Sequence, residues 1–197
     1  MPEGGEPTSP AEGGRFGLSA QDTDTLEQVL GTVMTGMGLD GPAIARAMRR
    51  GERLVDALNL PPQTVEALYA RAHATFIAGQ HADAEKLFRT LTLFDGRVVD
   101  HWLGLGICMR MRDEMKLARE AFEIASAVAP DSPVPHFHLL EICMVLGDLP
   151  AARAARAAID KREGAGLTRE MKLEISRLDG ALSARTKNGA ANGKAAS

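Results

Sequence analysis

Three stretches of the chain repeat one template at a step of 34 residues. Gly79, Asp113 and Gly147 fall in one column, Ala84, Ala118 and Ala152 in the next, and Phe88 and Phe122 in a further one. A period of this length is that of a helical hairpin, two helices joined by a tight turn. One hairpin cannot bury its own apolar face, so copies must stack side by side. The repeat therefore constrains the chain to an all-α stack of hairpins, an architecture that is rarely catalytic and that leaves a groove along the stack.

The middle copy is the most complete. It runs Trp102, Leu105, Gly106, Ala118, Phe122, Ala125 and Pro130, which is the tetratricopeptide pattern of a large residue, Leu-Gly, a small residue, an aromatic, a small residue and a closing proline. The reasons are steric. Gly106 and Ala118 let the two helices of one repeat cross closely. Trp102 and Phe122 fill the space between repeats, and Pro130 cannot continue a helix. The first copy keeps Leu68, Ala72, Gly79, Ala84 and Phe88, with Gly96 in place of the proline. The third keeps Leu139, Gly147 and Ala152, but has Leu140 in the tight slot and Arg156 in the aromatic slot, and is the most diverged. The reading is three tandem tetratricopeptide repeats in a right-handed superhelix, with N-terminal helices and a C-terminal capping helix. Repeat helices are expected near 63–78, 82–94, 98–112, 115–128, 134–146 and 149–162.

The flanks divide the 197 residues further. Residues 1–18, with Gly4-Gly5, Pro7, Pro10 and Gly13-Gly14, read as a disordered tail lacking the apolar core of a signal peptide. Residues 19–60 form an N-terminal helical region, broken at Gly51. Its apolar residues Leu26, Val29, Leu30, Val33, Met34 and Met37 recur at three-and-four spacing. They form a candidate dimerisation surface that could equally pack on the chain's own repeats. The repeats occupy 61–163 (about 62–95, 96–130 and 131–163). A capping helix is expected over 164–187, with Leu167, Met171, Ile175, Leu178 and Leu182 as its apolar stripe. Residues 188–197 read as a second disordered tail. A net charge of −3 gives no general attraction to nucleic acid, and the lack of a run of about 18 apolar residues argues against a membrane span. Cys108 and Cys143 lie inside apolar helical patterns and read as small buried hydrophobes rather than a disulfide or metal site.

Specific runs go beyond the generic repeat. Thr64-Val65-Glu66-Ala67-Leu68-Tyr69 opens the first repeat; Ala84-Glu85-Lys86-Leu87-Phe88 is followed by Leu91 and Phe94-Asp95. Trp102-Leu103-Gly104-Leu105-Gly106-Ile107-Cys108, then Phe137-His138 with Glu141, mark the second and third repeats, and Ala47-Met48-Arg49-Arg50-Gly51-Glu52 precedes them all. Over roughly residues 25–162 the chain resembles the class II chaperones of bacterial type III secretion, the translocator chaperones. The resemblance implies a protein of the bacterial cytoplasm that holds an extended hydrophobic segment of a pore-forming translocator in its groove before export. It also implies a homodimer formed through the N-terminal helices, and a transcriptional regulator as a further partner.

The first helix of each repeat is expected to line the concave side, where residues three and four apart share a face. Taking the offset from the core positions, the client-binding face is Tyr69, His73 and Phe76, then Leu103, Ile107 and Arg110, then Phe137, Glu141 and Met144. Such an apolar trough with a few polar groups suits an extended peptide with spaced anchors. Phe76, Ile107 and Phe137 also fit plain core positions, Arg110 a solvated charge, and His138 with Glu141 a structural hydrogen bond. The rival reading is a generic tetratricopeptide adaptor or scaffold. An adaptor for acidic C-terminal tails would need Lys, Arg and Asn where this groove has Tyr69, His73, Leu103 and Ile107. Nothing points to an enzyme, a cofactor or a metal: the sequence has no nucleophile–base pair, Gly-rich phosphate loop or metal-ligand spacing.

Overall fold

A computed structural model describes residues 24–25, 28–29, 31–32, 35, 40–162 and 166–195. The described residues contain helices, turns and connecting segments, and no strand. The chain divides into two compact units, Met1–Leu60 and Pro61–Ser197.

In the first unit, residues described between 24 and 35 are helical. Helix α1 (Gly41–Arg49) follows, opened by Asp40, whose carboxylate accepts the backbone N–H of Ala43 at 3.0 Å. It buries Ile44, Ala45 and Ala47. The expected break falls at Gly51, whose φ of 72° ends the helix in the left-handed region. The short α2 (Leu54–Ala57) completes the unit.

The second unit is built from three hairpins and a last helix. The pairs are α3 (Pro62–Ile77) with α4 (His81–Phe94), α5 (Val99–Met111) with α6 (Met115–Val128), and α7 (Val134–Leu146) with α8 (Leu149–Asp160). Pro62, Pro135 and Pro150 sit in first turns, where a missing N–H leaves no bond unmade. All three hairpins turn on a left-handed residue in one column: Gly79 at φ 76°, Asp113 at 65° and Gly147 at 75°. The columns seen in the sequence are the packing. Ala72, Ala84, Ala118 and Ala152 have no exposed surface, which brings the helices within close crossing distance.

Two rules repeat along the stack. The aromatic of each second helix meets its own repeat's first helix and the next repeat's. Phe122 lies on Gly106, where a Cβ would stand 2.6 Å from the ring. It also stacks on His138 with centroids 4.8 Å apart and planes 17° off parallel. Phe88 fills the equivalent inter-repeat position against Gly104. An ion pair also crosses each junction, with its sign reversed. Glu85 accepts from Arg112 between the first two repeats; Arg119, one period on, donates to Asp148 at 2.9 Å between the second and third. Burial pushes the Glu85 carboxyl up, but donors from Arg89 and Arg112 outweigh it and hold the group below the usual carboxylate range.

The third repeat carries Arg156 where its predecessors have phenylalanine. Arg156 Nε donates to both carboxylate oxygens of Asp179, at 2.7 and 2.9 Å, on the last helix α9 (Arg169–Ala195). The aromatic contact thus becomes an ionic one where the next element is a cap. Leu167, Ile175, Leu178 and Leu182 are buried, and Met171 partly so, as the expected stripe requires. One boundary differs: α9 continues to Ala195, past residue 187 where a tail was expected. No proline interrupts the segment, and propagation of an established helix is easier than nucleation, so Gly189 and Gly193 do not stop it.

Candidate peptide-binding groove

The first helices place the candidate residues at two cavities. The first, of about 180 Å³, is walled by Tyr69, His73 and Phe76 of α3, Phe88 of α4, and Asp100, Leu103, Gly104 and Ile107 of α5. Gly104 opens it: with no side chain there, Phe88 reaches the cavity floor. Tyr69 meets Phe88 edge-on, with centroids 6.0 Å apart and planes at 81°. Burial, helped by the Asp100 carboxylate, pushes the Tyr69 hydroxyl above its usual range, so it stays a neutral donor. Five of the nine residues read from the sequence meet here: Tyr69, His73, Phe76, Leu103 and Ile107. Phe88, Asp100 and Gly104 were missed. Gly104 was legible in the Leu-Gly-Leu-Gly run, where only Gly106 had been given a steric role.

The second cavity, of about 280 Å³, lies between α5, α6, α7 and α9. Arg110, Glu141 and Met144 line it, with Met115, Ile142 and Val145. Glu141 Oε2 accepts from Arg110 at 2.7 Å and lies 3.0 Å from His138 Nδ1, so Arg110 is an inter-repeat tie rather than a solvated charge. The far wall is α9, through Glu174, Arg177, Leu178, Ala181 and Arg185. Sequence reasoning gave this helix only a covering role.

Phe137 joins neither cavity. It is 5% exposed within the core and leans on His138 at 5.0 Å, the core alternative noted for it above. Of the dimerisation candidates, only Val29 is among the described residues, and it is exposed; Leu26, Leu30, Val33, Met34 and Met37 lie outside them.

One row was not foreseen. Ile77, Met111 and Val145 are 71%, 53% and 65% exposed and occupy one repeat column. Each stands one helical turn beyond His73, Ile107 and Glu141 respectively, so the row borders the groove. Among the described residues no three His, Cys, Asp or Glu side chains are placed to hold a metal ion. Cys108 and Cys143 are buried free thiols. Burial pushes Cys108 up to about 11 and raises Cys143 as well.

Stacked tetratricopeptide hairpins with an apolar cavity on the face of their first helices define a peptide-binding module. No protein-family model matches the sequence. The chain is 27% identical over 137 residues to low calcium response locus protein H of Yersinia pestis, covering 70% of this chain and 74% of that protein. Its fold matches a type III secretion complex from Aeromonas hydrophila with a TM-score of 0.64 and 26% identity, over 75% of this chain and 98% of that one. It also matches PcrH bound to the chaperone-binding region of PopD, with a TM-score of 0.57 and 26% identity, over 66% and 96%. The chain is a homologue of the class II type III secretion chaperones. That kinship with a non-enzymatic family means that it is not an enzyme.

Proposed function

We propose that this protein is a translocator chaperone: it binds an extended hydrophobic segment of type III secretion translocators along the first helices and keeps those clients soluble and apart before export. The observation that carries the reading is the apolar cavity between α3 and α5, where five residues chosen as client contacts converge. A solved relative, PcrH, holds the chaperone-binding region of PopD. Burying one Leu-sized anchor contributes roughly 1.5–3 kcal/mol. Two or three anchors, less the cost of ordering the segment, give affinities in about the micromolar range, weak enough for release.

The place of action is the bacterial cytoplasm, a reading that rests on the family resemblance. No helix among the described residues is long and apolar enough to cross a membrane. The chain pairs as a homodimer through residues Leu26 to Met37, and a transcriptional regulator is a further partner; both rest on the family resemblance. Co-expression with the translocators of its own secretion system is the direct test. The expected result is a soluble complex. A translocator that stays insoluble with and without this protein would overturn the reading.

A further inference from the structure

The second cavity holds an unbalanced set of charges. Three guanidinium groups and two carboxylates face it. Arg110 is tied to Glu141 at 2.7 Å, and Arg177 Nε to Glu174 at 2.8 Å. Arg185 is the remainder. It donates to the backbone carbonyl of Met144 at 2.8 Å, and among the described residues it has no carboxylate partner within ion-pair distance. A guanidinium offers five donors in a fixed fork; one bond to a carbonyl holds the fork in place and leaves donors unused. Arg185 is itself exposed, so its unused donors are open to a carboxylate from outside, and Met144, Val145 and Leu178 line the cavity with it.

We infer that the C-terminal helix completes a second client subsite, which takes an acidic side chain of the bound segment on Arg185. The inference rests on the peptide-binding reading and deepens it. The first cavity is apolar and accepts a hydrophobic anchor; the second, where α9 packs on α7 beside Arg110 of α5, reads a carboxylate. A bidentate pair between guanidinium and carboxylate is the strongest complement to a single excess positive charge. The net charge of −3 means that a preference for acid cannot come from general attraction to the protein. The client segment is thus bipartite, with an apolar residue followed or preceded at a constant offset by Asp or Glu.

The test is selection from a randomised dodecapeptide phage library on the full chain, on Tyr69→Ala and on Arg185→Glu, with far-UV circular dichroism confirming that each variant folds. Wild-type protein is expected to enrich peptides pairing an apolar anchor with Asp or Glu at one fixed spacing. Arg185→Glu should weaken binding of the best such peptide at least tenfold and switch the enriched residue to Lys or Arg. Arg185→Lys should keep the acidic preference. Apolar anchors enriched without a fixed acidic residue, or an acidic preference unchanged in Arg185→Glu, would overturn the subsite and leave the groove standing. Enrichment of no apolar segment, or enrichment unaltered by Tyr69→Ala, would overturn the peptide-binding reading and the subsite with it.

Discussion

The Phe88 ring occupies the space where a side chain on Gly104 would stand. One period on, Phe122 meets His138, the residue in the Gly104 column. One further, Arg156 meets Asp179 of the cap. The same junction is therefore made three ways: by a ring against a glycine, by a ring stacked on a ring and by an ion pair. Only in the first case is the next repeat's first helix bare at this column, and the apolar cavity walled by Phe88 and Gly104 lies there, between the first two repeats.

Replacing Gly104 by alanine tests this relationship. Helix propensity alone would favour alanine by about 1 kcal/mol. Overpacking against Phe88 opposes it, at roughly 1–3 kcal/mol. The expected outcome is net destabilisation together with loss of client binding, read from the urea midpoint and a binding titration. A stabilised variant with unchanged binding would show that the ring moves aside freely.

The repeat boundaries, the turn column and the buried alanines were legible because they follow from a period and from the steric need for small residues at crossings. Five residues of the first cavity's wall, Tyr69, His73, Phe76, Leu103 and Ile107, were legible for the same reason: once helix register is known, every third and fourth residue follows. Phe137 and the α9 wall expose the limit. Periodicity says which residues share a face, but a face one residue wide divides between cavity and core according to what packs against it. Arg156 looked like decay of the pattern; only its partner Asp179, outside the period, shows it to be the joint to the cap.

The turn column gives a second prediction. Asp113 and Gly147 share a left-handed backbone, which disfavours residues with a Cβ by roughly 1–2 kcal/mol, less for Asp. Asp113→Gly should stabilise the fold by about 0.5–1 kcal/mol. Gly147→Ala should destabilise it by about 1 kcal/mol, although a Cβ there would meet nothing within 4 Å, because the strain lies in the backbone. Paired denaturation curves check both signs; equal effects in one direction would refute the account.

Tyr69 and Phe137 should part company on truncation. Phe137→Ala empties a buried site and should cost about 3–5 kcal/mol of stability. Tyr69→Ala should cost less and act chiefly on client affinity. The exposed row makes the converse case: Ile77→Ser, Met111→Ser and Val145→Ser combined should leave the denaturation midpoint nearly unchanged, while any loss of client binding would place the row within the client's reach. A large fall in stability from the triple variant would mean that the row is covered in solution.

Proton linkage gives the last prediction. His136 is half-buried, and its Nε2 finds no hydrogen-bond partner among the described residues. Burial, reinforced by the Arg162 charge, holds its pKa below the usual value. The unfolded chain titrates this group near 6.5. Between that pH and the lower folded value the unfolded state binds the extra proton, so stability rises with pH across that window. The contribution is complete above about pH 6.5 and shrinks as the pH falls toward the folded pKa. Wild-type protein should therefore lose more stability than His136→Gln between pH 7.5 and pH 5.5, measured as the shift in urea midpoint. The two proteins differ at residue 136 alone, so the difference isolates it; parallel losses would show that burial there carries no penalty for the charged ring.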